Sequence, residues 1–238
     1  MGLEPRIAIA LVDASLELVP PEIAKHPAVE KTAKRRGKGP LAMLLDKSLH
    51  YHAMKKLLDQ EKRGRPDIVH FCMLEVLESP LCSKGYVQLY VHTLGGQVIK
   101  VRSDVRLPKN YNRFVGLMEQ LLAFGRVPRE GEALLEVIGK GLDKAVEDFK
   151  PSRKILLSEG GIRMSPLDLA GKVLQEGERV MIMIGAFPHG GFSDEVLNLA
   201  DEVVSIYDEV LKSFVAMSVV LRALEFKLGL YDVDGRNV

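Results

Sequence analysis

An α/β protein built on a parallel sheet is predicted by three features of this 238-residue chain. Apolar runs of strand length, RIAIALVDA (6–14), KILLSEGG (154–161), RVMIMIGAFPHGG (179–191) and EVVSIYD (202–208), each pass into a loop. Helical spacing of apolar residues appears among the last three, at 165–176 and 209–228, and strand–helix alternation of this kind builds parallel sheets. The runs are continuously apolar, as MIMI is, which suits strands covered by helices on both faces.

Residues 6–14 are the first strand, and a helical segment spans about 21–36. KRRGKGP (34–40) then gathers Lys34, Arg35, Arg36 and Lys38 around two glycines, which predicts a mobile basic loop. PLAMLLDKSLHYHAMKKLL (40–58) returns to helical spacing. RPDIVHF (65–71) reads as a strand, because Pro66 permits a strand to begin but not a helix to continue. YVQLYVHT (86–93) and QVIKVR (97–102) flank Leu94-Gly95-Gly96, a hairpin signal. Pro108 suits the first turn of a helix. In that helix Phe114, Leu117, Met118, Leu121 and Leu122 form an apolar stripe, and Lys109 and Arg113 lie four apart on a line away from it. No internal repeat or low-complexity segment is evident.

Hydrophobic residues at 47% and charged residues at 27% fit a soluble globular protein, and no apolar run is long enough to span a membrane. The opening MGLEPRIAIALVDASLE has acidic flanks and no basic start, so it reads as a strand and not a signal peptide. Cys72 and Cys82, outside any CxxC pair, suit a reducing cytoplasm. The lack of Trp and the few Asn and Gln lean toward a heat-adapted source.

A net charge of +1 hides an asymmetry. From Lys25 to Arg65 there are twelve cationic side chains against four acidic; from Glu176 to the end, eleven acidic against five basic. The first stretch attracts a polyanion and the second repels one. A further basic strip, VRSDVRLPKNYNRF (101–114), places Arg102, Arg106, Lys109 and Arg113 around Tyr111 and Phe114. It is either a solvated surface or a groove for a phosphate backbone and a stacked base.

In an open parallel sheet, small ligands bind at the carboxyl ends of the strands. Three loops could collaborate there: Leu157 to Gly161, Gly185 to Phe192, and Ser205 to Asp208. IGAFPHGGF is no Walker loop, since no Lys-Ser/Thr follows, and no G-x-G-x-x-G fingerprint occurs. The scattered histidines argue against a metal: His50 and His52 point to different sides of a helix, and His70 and His92 lie in strand-like runs where core packing is the commoner role. No G-x-S-x-G nucleophile motif is present. Arg65 and Asp67 share a face if extended, so Asp67 can hold the Arg65 fork for a planar polar ligand.

Residues 65–93 (RPDIVHFCMLEVLESPLCSKGYVQLYVHT), RLPKNYNRFVGLMEQLL and IGAFPHGG together resemble the ribosome-biogenesis pseudouridine-N1-specific rRNA methyltransferases of the SPOUT class. The resemblance covers nearly the whole chain and keeps its order. It implies one α/β methyltransferase domain over 1–238 with a C-terminal trefoil knot, a rare exception among folds. An RNA-binding extension would occupy about 20–65, a hairpin–helix region about 86–124, and the knot and cofactor region about 154–228. It further implies a homodimer, S-adenosylmethionine as methyl donor, small-subunit (16S-type) rRNA as substrate and ribosomal proteins as further partners. Arg65, Arg106, Lys109 and Arg113 fall where the family contacts RNA, and Asp67 where it steadies the first arginine. Leu157, Gly185, Gly190, Gly191, Phe192, Val204, Ser205, Ile206, Tyr207, Asp208 and Glu209 fall where the donor binds. Two positions depart from the family pattern: Lys109 replaces an arginine, and SIYDEVLKS replaces the Asn-Tyr-Pro-Leu-Ser of eukaryotic relatives. An archaeal member accounts for both.

On that resemblance Arg65 and Asp67 are the catalytic candidates. Arg65 would stabilise the anionic ring that develops as the nitrogen loses its proton. Asp67, paired with Arg65, would be a weak base. Tyr111 is a possible stacking residue, whereas Phe114 heads the apolar stripe and belongs to the core. Two alternatives share these features: a non-catalytic rRNA-binding assembly factor, and a methyltransferase for another RNA base or for tRNA.

Overall fold

Eight consecutive apolar or small side chains, Ile7–Ala14, form β1, and every one of them is buried. A strand of that composition has no solvated face, so it must lie inside the sheet. The structure is a computed structural model that describes residues 5–232; the first four residues of the N-terminal apolar segment and the last six of the chain lie outside the described residues.

The other strands are β2 (Val87–Thr93), β3 (Gln97–Val101), β4 (Arg126–Val127), β5 (Leu135–Lys140), β6 (Arg153–Arg163), β7 (Val180–Gly185) and β8 (Glu202–Ser205). They make one eight-stranded sheet in the order β4-β5-β3-β2-β1-β7-β6-β8. Strands β2, β1, β7, β6 and β8 run parallel, as the sequence predicts. At the other edge β2 and β3 pair antiparallel at the Leu94-Gly95-Gly96 hairpin signal, and β5 and β4 extend the antiparallel part. The reason is the connection: Leu94-Gly95-Gly96 is too short for a crossover and turns β2 straight back into β3. Strands β4 and β5 went unread because they are short and only half buried, so no apolar run marks them.

The helices are α1 (Pro27–Arg36), α2 (Lys47–Met54), α3 (Pro66–Leu77), α4 (Pro80–Ser83), α5 (Tyr111–Phe124), α6 (Asp143–Phe149), α7 (Pro166–Val173), α8 (Asp194–Leu199) and α9 (Ser213–Lys227). Alternation along β1 separates two layers: Ile7, Ile9 and Leu11 share a buried cluster with residues of α3, α5, α7 and α9, while Ala8, Ala10 and Val12 share another with α6 and α8. A third cluster, including Val29, Ala33, Met43 and Met54, belongs to α1, α2 and the chain around them.

Several local expectations are corrected. RPDIVHF is not a strand but the start of α3; Pro66 occupies the first helical position, where a missing N–H costs nothing, and buried Val69, Cys72, Met73 and Val76 supply the helical period. Pro108 lies before α5 and not in its first turn, since Asn110 caps that helix by accepting from the Arg113 N–H. Lys109 therefore precedes the helix and does not share a helical line with Arg113. The 40–58 stretch holds only a short 3-10 turn at Pro40–Ala42 and then α2, which starts late because Asp46 caps it. KRRGKGP is no mobile loop: Lys34, Arg35 and Arg36 end α1, and Gly37 turns the chain at φ 61°.

Candidate cofactor cleft and nucleic-acid interface

The carboxyl ends of the parallel strands come into register. Leu157 of β6 lies opposite both Ile184 of β7 and Val204 of β8. Beyond this row β6 bulges, then pairs again with β8 at Ile162 and Arg163. The crossing is tight: a Cβ on Gly161 would stand 2.6 Å from backbone atoms of Val203 and Val204, so no other residue fits. Between the bulge and β8 opens a shallow cleft at the carboxyl ends of the strands, where small ligands bind in open parallel sheets. Leu157, Val204, Ile206, Leu211 and Ala216 give it apolar walls; Ser158, Glu159, Ser205, Tyr207 and Glu209 give it polar ones. Arg163 donates to Asp208 at 2.8 Å and to the Ser205 carbonyl at 3.2 Å, and the Ser205 hydroxyl donates to the Tyr207 carbonyl at 2.7 Å, which fixes the 205–208 loop.

Of the cofactor candidates, the structure gathers Leu157, Val204, Ser205, Ile206, Tyr207 and Glu209 around this cleft, while Asp208 points to Arg163. Gly185 follows Ile184 at the β7 end and lies under the rings of Phe187 and Phe192, each about 3 Å from where its Cβ would be. Gly190, at φ +103°, packs against the stem of Lys62, and Gly191 follows it. That loop therefore leans toward the segment leading to Arg65. Ser158 and Glu159 belong to the Leu157 to Gly161 loop expected at the strand ends, whereas Leu211 and Ala216 were not foreseen.

Arg65 precedes α3 and is anchored to the end of β1: its N–H donates to the Ser15 hydroxyl at 2.8 Å, and the Ser15 N–H donates to the Ala186 carbonyl beside β7. Its side chain donates from Nε (2.8 Å) and Nη2 (2.7 Å) to the two oxygens of Asp67. The pair forms although the segment is helical, because the capping residue and the second helical residue approach one another at a helix start. Arg65 is 40% exposed and Asp67 34%, and Nη1 takes no part in the bond to Asp67. The bond to Asp67 is the main cause that raises the Arg65 pKa above its ordinary value. Neighbouring strands lie about 4.8 Å apart, so Arg65, beside β1 and β7, stands on the order of 10–15 Å from the cleft between β6 and β8.

His70 ties Arg65 to the basic strip. It lies on the same helix, its Nε2 meets the Pro108 carbonyl at 2.7 Å, and its ring stacks on Phe114 with centroids 4.2 Å apart. The Tyr111 hydroxyl donates to Asp46 at 2.6 Å; burial first, then this bond, raises its pKa and keeps the phenol protonated. Phe114 is fully buried and serves the core, whereas the Tyr111 ring is only partly covered. Arg106 and Arg113 are exposed and carry no ion pair among the described residues. Lys109 is exposed beside Glu78 at 3.1 Å. Arg102 is corrected out of the strip: Asp104 and Glu132 neutralise it. Asp46 and Ser15 were missed in sequence because each acts through a partner distant along the chain, whereas His70 is the buried histidine that the sequence reading made it.

A family model described as EMG1/NEP1 methyltransferase matches residues 9–225. The chain belongs to this family. "Ribosomal RNA small subunit methyltransferase Nep1" of Staphylothermus marinus is 46% identical over 226 residues, covering 94% of this chain and 97% of that protein. The protein of the same description from Saccharolobus solfataricus is 51% identical over 193 residues, covering 81% and 84%. The crystal structure of Archaeoglobus fulgidus Nep1 bound to S-adenosylhomocysteine superposes with a TM-score of 0.82 at 43% identity, covering 95% of this chain and 98% of that one. The family read from the 65–93, 106–122 and 184–191 motifs is thus the family found. No helix among the described residues of this EMG1/NEP1 member is long and apolar enough to cross a membrane.

Proposed function

We propose that this chain methylates nitrogen 1 of a pseudouridine in small-subunit (16S-type) rRNA, using S-adenosylmethionine held between β6 and β8. The observation that carries the proposal is the alignment of the β1, β7, β6 and β8 ends on one edge of the sheet, with the Asp67-held Arg65 near one end and the cleft at the other. The product form of the donor in the Archaeoglobus fulgidus relative supports the cofactor. The names of the relatives support the substrate.

The cleft fits such a donor chemically. Its apolar walls suit an adenosine, and the carboxylates of Glu159 and Glu209 suit a cationic sulfonium and amine. Leu157 and the Val204 to Glu209 segment would hold it, with Gly185, Gly190, Gly191 and Phe192 closing the β7 side. When bound, the donor supplies an electrophilic methyl group; all other steps belong to the chain. Arg106, Lys109 and Arg113 grip phosphates, and Tyr111, fixed by Asp46, offers a face for a splayed base. The Nη1 edge of Arg65 meets the polar edge of the target ring and stabilises its developing negative charge. Both oxygens of Asp67 are engaged by Arg65, so its part is to hold that guanidinium and only weakly to accept a proton.

The tight passage of β8 past Gly161 supports a knotted C-terminal region over about 154–228. The separate core of α1 and α2 supports an RNA-binding extension over about 20–65, beside a hairpin–helix region over about 86–124, all in one domain. Exposed Phe71 and Phe214, with ring centroids 6.1 Å apart on α3 and α9, support a homodimer. Two unpaired buried cysteines suit the cytoplasm.

The test uses hairpins that differ only in uridine or pseudouridine at the target. Arg65→Ala should cut methylation of the pseudouridine hairpin on the order of 100-fold and leave donor affinity, read by calorimetry, unchanged. Equal loss of both overturns the assignment. A parent chain that binds RNA but takes up no donor heat is an assembly factor instead.

A further inference from the structure

Lys62 is one of the basic residues between 25 and 65, but it is turned away from solvent: its side chain is only 15% exposed. Its ammonium stands 4.0 Å from Oδ2 of Asp13, near the end of β1. It also lies 5.1 Å from the ring centre of Phe187, in the loop after β7, within the distance at which an ammonium is drawn to a ring face. Its methylene stem covers Gly190 of the same loop, where a Cβ would stand 3.0 Å from Cε and 3.2 Å from Cγ of Lys62. One side chain from the segment leading to Arg65 therefore meets the loop that closes the β7 side of the cleft.

The end of β1 and the residues after it support both partners. Asp13, Ser15 and Glu17 alternate along the chain, and each holds one member of the 62–65 segment. Asp13 meets Lys62, Ser15 accepts from the Arg65 N–H at 2.8 Å, and Glu17 accepts from Arg63 Nε at 2.8 Å and Nη2 at 2.6 Å. The same residues hold both ends of the glycine loop. The Ser15 N–H donates to the Ala186 carbonyl at 2.9 Å, and Asp13 accepts from the Ser193 N–H at 2.7 Å and its hydroxyl at 2.9 Å. Asp13 is buried, at φ 48°, a left-handed conformation uncommon outside glycine, and a buried carboxylate needs a countercharge. His92 stands 4.0 Å from its other oxygen, but burial holds that imidazole below its ordinary pKa against the pull of Glu195 and Asp13, so the lysine supplies the charge. Between its ends the loop is lightly tied. Among the described residues, the backbone from Phe187 to Phe192 makes no backbone–backbone hydrogen bond. Side chains position it: Phe187 meets Phe192 edge to face at 5.4 Å, and Lys62 packs on Phe187 and Gly190. Segments with few hydrogen bonds are the ones a ligand can order.

We infer that Lys62 is a positioning residue that couples the donor site to Arg65, so that donor and RNA each bind more tightly when the other is present. The inference deepens the proposed function and rests on its donor and RNA substrate. A donor seated against Gly185 to Phe192 fixes the loop, the loop holds Lys62, and Lys62 steadies the 62–65 segment that presents the Arg65 guanidinium. An RNA engaging Arg65 works the same connection in reverse, because coupling between two sites is reciprocal. Lys62 need touch neither ligand.

The experiment measures by calorimetry the affinity of a pseudouridine hairpin without and with saturating S-adenosylhomocysteine. The parent chain should bind about tenfold more tightly with it, within the usual range of coupling between sites. Lys62→Met keeps the stem and removes the charge; the gain should vanish, while hairpin and S-adenosylhomocysteine each bind alone as they do to the parent. Lys62→Arg should restore the gain. Phe187→Leu keeps the ion pair and removes the ring beside the ammonium; it should lower the gain, and it carries the test if Lys62→Met does not fold. A folded Lys62→Met chain that keeps the gain, or that loses both separate affinities instead, overturns the inference. A parent that methylates the hairpin but gains no affinity overturns the inference alone. Gain without methylation leaves the coupling standing and sinks the methylation proposal.

Discussion

The basic front of the molecule and its acidic rear are built on opposite rules. In front, around α1, Arg65 and the 106–113 strip, side-chain charge does the work, and the cations that matter are exposed or only lightly held. In the rear, around β6 and β8, cations are neutralised by neighbours, and the cleft is shaped by backbone: a bulge, a crossing that admits only Gly161, and a loop fixed by Arg163 and Ser205. A polyanion and a cationic cofactor cannot share one electrostatic environment, and the division gives each its own. The difference also dictates how each part fails. Front residues can be neutralised with little loss of fold, whereas the rear is sensitive to a single methyl group.

Glu119 is the exception that would break this contrast most sharply, because it is a front residue that is buried. Glu119→Ala leaves Arg36 and Lys38 without their shared carboxylate and the Leu44 N–H without its acceptor. Arg36 and Lys38 can still reach solvent, so the main cost is the orphaned Leu44 N–H, about 1–3 kcal/mol. Denaturant unfolding should show that loss, and α1 should exchange its amide hydrogens faster. In the rear, Gly161→Ala forces a methyl group against the β8 backbone. Overpacking costs about 1–3 kcal/mol, and here donor binding should be lost along with stability. A Gly161→Ala chain that keeps its Tm and its donor affinity would mean that the cleft does not depend on this crossing.

The same contrast explains what the sequence reveals. Charge is carried by residue identity, so the excess over 25–65, the 106–113 strip and the Arg65–Asp67 pair can be read directly. Strands β1 and β7, buried on both faces, announce themselves as apolar runs, and so do the partly buried β6 and β8. What hides is anything decided by caps or by long-range geometry. Pro66 looked like a helix breaker and is a helix start, because the same missing N–H serves both roles. Strands β4 and β5, half exposed at the sheet edge, lack the apolar signal. Leu211 and Ala216, which also line the cofactor cleft, are ordinary residues that become part of a site only when β6 and β8 meet. The loops Leu157 to Gly161 and Ser205 to Asp208 were legible as strand ends, and the family resemblance singled out Leu157 and the 204–209 segment there.

Acidification should sharpen the comparison with a smaller effect. His50 and His70, in the front, and His92, where β2 ends beside β1, are all buried. Desolvation is the leading cause that holds each below the ordinary value of 6.5; Asp46 partly offsets it at His50, the Pro108 bond at His70, and Glu195 and Asp13 at His92. Neither ring nitrogen of His92, nor Nε2 of His50, has a hydrogen-bond partner among the described residues. The folded chain thus prefers all three neutral, while the unfolded chain takes up protons first as pH falls through 6.5. Stability from these groups is complete above that pH and is lost progressively below it. Unfolding followed between pH 7.5 and 5 should show Tm falling, with hydrogen exchange rising in α2, α3 and β2 before β6 and β8. His70→Gln, which can still donate to the Pro108 carbonyl, should flatten part of the slope; an unchanged slope in that variant would assign the pH dependence to other groups.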